Sequence, residues 1–472
     1  MKRLIPMPTE IKEKTGICKK AENITVVRAE GLAEEAYIMT ASPEGIVIGA
    51  SGAAGEFYAK KTWEQLSLLY GKELPCFEIA DKPFFGYRSF MLDSARHFIS
   101  VDEIKKIADI ASRFKFNRFH WHLSDDQGFR IQLDNFPELV VKGSTRPGDH
   151  YRNLPKNDTP HGGFYTKNEI REIVAYCRER HIEIVPEIDM PGHVSAILCT
   201  YPQYHCGKKP VEIKTKEGIF EDIFCAGNED TYTFIYKLLD EITGLFPFEY
   251  FHIGGDEAPK THWKTCPDCR AKMRELGLTD ANDLQVYFGN RVARYLRSKG
   301  KKVIMWNDIL KGKGLDDDIA VQRWMDIKNR STPETNNGRM TIASDFRPYY
   351  CDYPYEMYPL KDVYSFDPLA VKGLTPGGRK NILGVESPVW LEFINTDERL
   401  EYLIFPRWFA VADTAWHGTP KGNYKDFRES CSLFCEALKK EKIHPAPETD
   451  WDMSTYKRIK GTAGFFLPKK GE

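Results

Sequence analysis

From about residue 84 onward, strand-like runs alternate with helical segments with unusual regularity. Eight runs can be counted, at residues 88–93, 118–123, 182–188, 250–254, 302–306, 319–324, 340–344 and 382–390. Between the early runs, apolar residues recur at helical spacing, and Ser100 with Glu103 and Thr166 with Glu169 have the spacing of capping boxes. Eight strands separated by crossovers favour an α/β fold of the closed (β/α)8 type, a TIM barrel, over an open sheet.

The later crossovers are less uniform than the early ones. Long amphipathic runs at 230–246, 281–297 and 398–416 predict helices, whereas the short polar stretch 329–338 predicts a weak helix or none. With these segments, the predicted barrel domain extends to about residue 442.

The two ends of the chain differ from this pattern. Residues 1–82 contain three short strand-like runs followed by a helix near 53–69, which predicts a small α+β domain. Residues 443–472 include Pro445, Pro447 and Pro468, and they predict an extended tail packed on the barrel. The barrel domain is therefore predicted to span 83–442.

Polar and aromatic side chains accumulate where the predicted strands end, which is the face of such a barrel that carries chemistry. They are Arg96, His97, His120, His122, Asp125, Asp126, Glu187, Asp189, His193, Asp256, Glu257, Trp306, Asp308, Trp324, Tyr350, Asp352, Trp390 and Glu392. Carboxylates and arginine bind hydroxyl groups, and indole faces pack against the C–H surface of a sugar. A single tryptophan is more often part of a core, but three at equivalent strand ends indicate a pocket for a polyhydroxylated ring.

The segment 251–260 combines a buried strand pattern with two glycines and two adjacent carboxylates, Asp256 and Glu257. Paired glycines let the backbone approach a ligand closely. Neighbouring carboxylates repel each other, so one pKa rises relative to the other, and a proton donor can coexist with an ionised partner near neutral pH. Taken alone, the motif is equally compatible with a solvated acidic turn.

Composition excludes several classes of protein. A net charge of −1 over 472 residues, without long basic runs, argues against nucleic-acid binding. No stretch approaches the roughly 18 apolar residues of a membrane span. The first ten residues lack the apolar core of a signal peptide, so a cytoplasmic location is expected.

Four motifs together resemble glycoside hydrolase family 20, the β-N-acetylhexosaminidases. They are MLDSARHF at 91–98, HWHLSDDQGFR at 120–130, PEIDMPGH at 186–193 and HIGGDE at 252–257. The resemblance spans nearly the whole chain, because residues 1–82 are similar to the family's small α+β domain. It implies an exo-acting, retaining β-N-acetylhexosaminidase that removes terminal non-reducing β-linked GlcNAc or GalNAc from an oligosaccharide or glycoconjugate.

By this resemblance the substrate's own 2-acetamido oxygen is the nucleophile, a known exception among glycosidases. Glu257 would protonate the leaving oxygen and later activate water, while Asp256 would hold the acetamido N–H and stabilise the oxazolinium-like intermediate. Tyr350 would bind the acetamido carbonyl; the doublet of Tyr349 and Tyr350 leaves the register open by one residue, and the spacing to Asp352 favours Tyr350. No cofactor and no active-site metal are implied.

The resemblance also implies the residues that bind the sugar. Trp306, Trp324 and Trp390 would wall the acetamido methyl group and the ring. Arg96, Asp352 and Glu392 would bind hydroxyls at the non-reducing end, and Asp125 and His193 match positions in or behind the pocket. Ser89, Glu386 and Pro388 depart from the usual pattern and are expected to bear on the edge of the pocket, and thus on the identity of the sugar more than on the reaction.

Two rival functions use the same residues. His120, His122, His193, His252 and Asp256 could form a metal site in a barrel hydrolase, although tryptophans stand where further ligands are needed. A sugar-binding protein without catalysis is the second rival, and the presence of both Asp256 and Glu257 favours the enzyme.

The eleven cysteines are scattered and mostly lie in apolar patterns, which predicts buried, reduced thiols. The CPDC sequence at 266–269 suggests zinc or redox chemistry, but no second cysteine pair lies at zinc-ribbon spacing. A local structural or free-thiol role is therefore predicted for Cys266 and Cys269.

Overall fold

The computed structural model describes residues 2–71, 73–419 and 422–467, and its centre is a closed barrel of eight strands. The barrel strands are, in chain order, Tyr87–Asp93, Arg118–His122, Glu183–Glu187, Tyr250–His252, Lys302–Trp306, Ala320–Arg323, Thr341–Ala343 and Ile382–Ser387. Each strand pairs in parallel with the next, and the eighth closes on the first with Gly384 opposite Tyr87. The predicted α/β class and (β/α)8 barrel are confirmed.

Helices cover the outside of the barrel between consecutive strands. The longest barrel helices are Val101–Arg113, Lys167–Arg178, Glu229–Thr243, Ala281–Ser298, Arg407–His417 and Tyr424–Lys440. Thr166 and Glu169 form the predicted capping box in both directions. Ser100 accepts from the Glu103 backbone N–H as predicted, but the Glu103 carboxylate contacts Lys106 instead of returning to the cap.

Several predicted boundaries differ from the structure. The run 398–416 is two helices, Asp397–Ile404 and Arg407–His417, because Pro406 has no N–H to continue the first helix. The weak helix at 329–338 is a single short one, Ser331–Asn336. The fourth and eighth strands end at His252 and Ser387, earlier than predicted.

The N-terminal segment forms a five-stranded sheet with one helix, Ala53–Tyr70, packed against it. The strands are Glu10–Cys18, Ile24–Arg28, Tyr37–Ser42, Gly45–Ala50 and Leu74–Asp81. The sequence predicted only the middle three. Glu10–Cys18 is an edge strand that is mostly exposed, so it has no apolar alternation from which to be recognised.

A buried polar contact joins this sheet to the barrel. The Asp81 carboxylate accepts from Lys115 Nζ at 2.9 Å and from the Trp416 indole N–H at 2.7 Å. Both partners belong to the barrel, so the small domain is held by a charge and an aromatic residue at its last strand. The domain boundaries themselves stay a prediction.

The C-terminal segment is not the extended tail that its prolines predicted. After a short turn at Glu448–Trp451 the chain forms the helix Thr455–Phe466, and the Phe465 ring lies 5.4 Å from the Tyr353 ring and 5.3 Å from the Phe393 ring. Pro468 lies outside the described residues. Among the helices of the described chain, none combines the length and the apolar character needed to cross a membrane.

Candidate active site

A cavity of about 140 Å³ opens at the carboxyl ends of the barrel strands. It is lined by Arg96, Asp256, Glu257, Trp306, Trp324, Phe346, Tyr350, Asp352, Tyr353, Trp390, Glu392 and Phe393. Nine of the eleven residues predicted from the sequence are in this lining. The structure therefore brings together residues that are separated by almost 300 positions in the chain.

The two carboxylates Asp256 and Glu257 are placed by a turn that only glycine can form. Gly254 and Gly255 have φ angles of 64° and 103°. A Cβ on Gly254 would lie 1.7 Å from Asp189 Oδ1, so no side chain fits there. The Gly255 N–H donates to the same Asp189 oxygen at 3.1 Å, which fixes the turn.

The turn gives the two carboxylates different surroundings. The Asp256 side chain is 12% exposed and the Glu257 side chain is 32% exposed. Burial, with a smaller contribution from the Glu257 charge, raises the pKa of Asp256 to about 7. Glu257 instead stands at the opening, where it also lines a second cavity.

His193 lies beside both carboxylates. Its Nε2 is 3.8 Å from Asp256 Oδ2 and 3.7 Å from Glu257 Oε2, and its Nδ1 is 3.1 Å from Asp125 Oδ1. Burial opposes protonation, but the Asp125 charge and the hydrogen bonds hold the pKa of His193 well above its usual value. A protonated His193 in turn favours the ionised form of Asp256.

Asp125 and His193 do not line the cavity, although both were predicted as substrate-binding residues. Asp125 lies behind the wall, where its Oδ2 is 2.7 Å from Arg96 Nη2 and 2.9 Å from His122 Nε2. These contacts hold the pKa of Asp125 far below its usual value against the effect of burial. Asp125 thus positions Arg96 and His193, which both reach the pocket residues.

The floor of the site is a buried carboxylate surrounded by histidines. Glu187 contacts His122, His120 Nε2 at 3.1 Å and His252 Nδ1 at 2.8 Å, and it accepts from the Trp306 indole N–H at 2.8 Å. Burial opposes ionisation of Glu187, but the neighbouring histidines hold its pKa well below the usual value. This cluster fixes the orientation of Trp306.

We expect Glu187→Gln to destabilise the barrel by about 3–5 kcal/mol, because it removes the anion that compensates buried histidine charge. Despite burial, the charges of Glu386 and Glu187 raise the pKa of His120 to about 9, so this imidazole is charged at neutral pH. Urea unfolding followed by tryptophan fluorescence measures the loss. Glu183→Gln, at the exposed start of the same strand, is the control and is expected to change stability by less than about 0.5 kcal/mol. Equal stability of the two variants would contradict the argument that the Glu187 carboxylate compensates buried histidine charge.

Aromatic side chains form one wall of the cavity. The Trp390 ring centroid lies 5.9 Å from that of Trp306 and 6.5 Å from that of Tyr350, and Tyr350 stacks with Trp324 at 6.1 Å. Trp324 is held by its indole N–H, which donates to Asp308 at 2.7 Å. Tyr349 packs against Phe366 outside the cavity, so the structure places Tyr350 in the pocket and removes the ambiguity of register.

Charged groups form another part of the cavity wall. Arg96 lies over the Trp390 ring at 4.9 Å and 3.8 Å from Glu392 Oε1. Burial raises the pKa of Glu392 to about 7, and burial together with the Glu392 charge raises the pKa of Asp352. Asp352 Oδ1 is buried with no protein hydrogen-bond partner, so it is available to a hydroxyl group of a ligand.

Three lining residues were not predicted: Phe346, Tyr353 and Phe393. Tyr353 and Phe393 each directly follow a predicted acid, Asp352 and Glu392, and this adjacency was the signal available in the sequence. Their rings connect the pocket rim to Phe465.

None of the three departures from the family pattern, at Ser89, Glu386 and Pro388, lines the pocket, contrary to expectation. Glu386 is buried inside the barrel, where it contacts His120 Nδ1 at 2.8 Å and accepts from Gln322 at 2.5 Å. Ser89 is equally buried, and its hydroxyl donates to the Phe90 carbonyl. The two residues therefore alter the interior of the barrel and not the pocket edge.

A second, larger cavity of about 600 Å³ adjoins the first and shares Glu257 and Trp324 with it. Its other lining residues are Ile219, Asp280, Asn282, Asn307, Asp308, Lys311, Met325, Asp326, Ile327, Lys328 and Arg330. Glu257 thus stands where the small pocket meets this larger groove.

The histidines proposed for a rival metal site have carboxylate partners. His120 and His122 contact Glu187 and also Glu386 and Asp125, respectively. These carboxylate contacts explain why the two histidines are buried in the barrel. The network that they form supports Trp306 and the wall behind the pocket.

Comparison with known proteins identifies the family. Residues 85–419 match the description "Glycosyl hydrolase family 20, catalytic domain", and residues 7–82 match "Glycosyl hydrolase family 20, domain 2". A β-hexosaminidase of Porphyromonas gingivalis is 37% identical over 449 residues, which cover 90% of this chain and 56% of that protein. The chain thus spans little more than half the length of this relative.

Solved structures agree in fold over nearly the whole chain. The β-N-acetylhexosaminidase of Bacteroides fragilis is 30% identical with a TM-score of 0.81, covering 96% of this chain and 99% of that one. The Vibrio harveyi exo-β-N-acetylglucosaminidase, solved with N-acetylglucosamine, is 28% identical with a TM-score of 0.82 and covers 95% of this chain and 78% of that one. With two family descriptions matching in sequence order and the barrel and small domain both present, the chain belongs to glycosyl hydrolase family 20.

Proposed function

We propose that this protein is an exo-acting, retaining β-N-acetylhexosaminidase that uses the 2-acetamido group of its substrate as the nucleophile. Its substrates are oligosaccharides or glycoconjugates with a terminal, non-reducing, β-linked GlcNAc or GalNAc. Membership of the family and the GlcNAc bound in the Vibrio harveyi structure support the choice of an N-acetylated sugar.

The observation that carries the proposal is the position of Glu257 between the small pocket and the larger groove. A terminal sugar in the pocket and the rest of the substrate in the groove would place the glycosidic oxygen beside Glu257. The small volume of the pocket, about 140 Å³ against about 600 Å³ for the groove, supports binding of a single chain end and therefore exo cleavage. Glu257 is therefore the proposed general acid and base.

Asp256 supports the use of the acetamido group. It lies beside Glu257 in the buried part of the pocket, between His193 and the Trp306 and Tyr350 wall. From there the ionised carboxylate can accept from the acetamido N–H, and the Tyr350 hydroxyl can donate to the acetamido oxygen. Holding this internal nucleophile close to the anomeric carbon supplies an effective molarity of about 10⁵–10⁸ M. Attack from the opposite face followed by hydrolysis gives net retention.

The test is hydrolysis of 4-nitrophenyl β-GlcNAc, β-GalNAc and β-glucoside, with the product anomer followed by NMR. We expect cleavage of the acetamido sugars with the β-anomer formed first, and no cleavage of the glucoside. Cleavage of the glucoside at a similar rate would contradict the acetamido mechanism. Binding without cleavage of any substrate would favour the rival sugar-binding function.

The pH dependence follows from Asp256. Since Asp256 has its pKa raised to about 7 and acts as an anion, the acidic limb of the kcat/KM profile is expected to rise with pH and to have its midpoint near pH 7. His193→Asn removes a charge that lowers this pKa, so the rise should move upward by about one unit. A pH series on 4-nitrophenyl β-GlcNAc measures both midpoints, and an unchanged midpoint in the variant would contradict the coupling.

A further inference from the structure

Four cysteines that are scattered in the sequence meet at one point beside the active-site loops. Cys206 and Cys225 lie on the long loop after the third barrel strand, and Cys266 and Cys269 lie on the loop after the fourth. All four sulfur atoms lie within 4.8 Å of one another. The CPDC pair, which lacked a partner pair in the sequence, is completed by two single cysteines that are 60 and 41 residues away from Cys266.

The spacing of the sulfurs has the dimensions of a tetrahedral metal site. The measured Sγ–Sγ distances are 3.7 Å for Cys206–Cys269, 3.8 Å for Cys225–Cys266 and 3.6 Å for Cys225–Cys269. Four thiolates around Zn²⁺ at about 2.3 Å stand about 3.8 Å apart, because the edge of a tetrahedron is about 1.63 times its radius. A disulfide needs sulfurs at about 2.05 Å.

The backbone around the four cysteines is built for this contact. A Cβ on Gly227 would lie 2.2 Å from the Asp268 backbone carbon and 2.3 Å from the Cys269 nitrogen, so only glycine lets the two loops approach this closely. Cys266 directly precedes the helix Pro267–Glu275, and Cys269 lies in its first turn, which presents both sulfurs on one side. Cys225, Cys266 and Cys269 are at most 5% exposed.

We propose that Cys206, Cys225, Cys266 and Cys269 bind one structural Zn²⁺ ion that fastens the third and fourth barrel loops to each other. The protons of the four thiols are released to solvent as the metal binds, and no change of oxidation state is needed. The four-sulfur set leaves no open coordination position, so the ion is structural and does not take part in the glycosidase reaction.

The site would stabilise the part of the molecule that carries the catalytic acid. Asp256 and Glu257 lie on the fourth loop, nine or ten residues before Cys266. Trp263 lies in the sequence between Glu257 and Cys266, and its side chain is fully buried. Its indole N–H donates at 2.8 Å to the carbonyl of Phe224, the residue before Cys225. A metal clip at this point would therefore restrain both loops beside the active site.

The first experiment uses the wild-type protein purified without added metal or chelator. Elemental analysis is expected to find about one zinc per chain, and X-ray absorption at the zinc edge is expected to show four sulfur neighbours at about 2.3 Å. Absence of zinc after refolding with ZnCl₂, iron in its place, or a shell of nitrogen and oxygen would each overturn the proposal. An intact mass lower by four hydrogen atoms in the absence of metal would assign the cysteines to two disulfides instead.

The second experiment assigns the zinc to these residues. Cys266→Ser with Cys269→Ser is expected to lose the bound zinc and to lower Tm, whereas Cys431→Ser with Cys435→Ser, a buried pair elsewhere, keeps it. Should the first variant fail to fold, the wild-type thiols are titrated with a mercurial while a dye reports released zinc. This titration counts the thiols that hold the ion, and full release is expected to require about four equivalents. Zinc retained in the folded 266/269 variant would contradict the proposal. Because metal content is measured independently of hydrolysis, this result does not depend on the proposed glycosidase activity.

Discussion

Glu257→Gln is expected to lower kcat on β-linked chitobiose by about 10²–10⁴, because the variant cannot protonate the leaving sugar. Glutamine keeps the size of the side chain and its contacts with the pocket and the groove, so KM should change little. The loss should be smaller with 2,4-dinitrophenyl β-GlcNAc, whose leaving group departs without protonation. Steady-state kinetics on the two substrates measures this difference.

Glu392→Gln is the control for this prediction, since Glu392 lines the same pocket at its far end beside Arg96. It should raise KM on both substrates by a similar factor, because its proposed contact is with hydroxyls of the terminal sugar, which both substrates share. Equal losses of kcat on the two substrates for Glu257→Gln would contradict its role as the general acid.

The barrel could be predicted because its signal is local and repeated. Most strands are short runs rich in apolar or aromatic residues, and the long helices between the early strands have an apolar stripe that packs on the sheet, so the alternation of the two patterns locates them. The edge strand Glu10–Cys18 could not be predicted, since its side chains face solvent and its backbone pairing with Leu74–Asp81 is the only evidence for it.

Much of the pocket could also be predicted, for a related reason. Parallel strands all end at one face of a barrel, so polar residues at strand ends meet there whatever their separation in the sequence. The contacts behind the pocket could not be predicted from the sequence. The pairing of Glu187 with three histidines, and of Asp125 with Arg96, depends on strand register and side-chain direction across the barrel.

The four cysteines illustrate the same limit. Zinc sites are recognised in sequence when two pairs lie at a fixed spacing, and here only Cys266 and Cys269 form a pair. Cys206 and Cys225 reach them through the folding of the third loop, with the backbone bridge between His205 and Phe224 bringing the two ends of that segment together. No property of the residues around Cys206 or Cys225 indicates this contact.

Asp256→Asn is expected to lower kcat on 4-nitrophenyl β-GlcNAc by about 10²–10³, since it removes the charge that we propose stabilises the oxazolinium-like intermediate. Asparagine fills the same space, so binding of the product GlcNAc should weaken much less than binding of a thiazoline analogue of the intermediate. The rise of kcat/KM towards pH 7 should also disappear, because the group whose pKa is raised to about 7 is gone.

Asp308→Asn provides a matched control for the loss of a carboxylate beside the pocket. Asp308 accepts from the Trp324 indole at 2.7 Å, and its charge contributes to raising the Asp256 pKa. Asparagine can still accept from Trp324, so only a small loss of kcat and a slight downward shift of the pH midpoint are expected. Inhibition by the thiazoline and a pH series for both variants complete the measurement. If Asp256→Asn kept both the pH dependence and its affinity for the thiazoline, Asp256 would not be the residue that holds the acetamido group, and catalysis would have to place that group against Tyr350 alone.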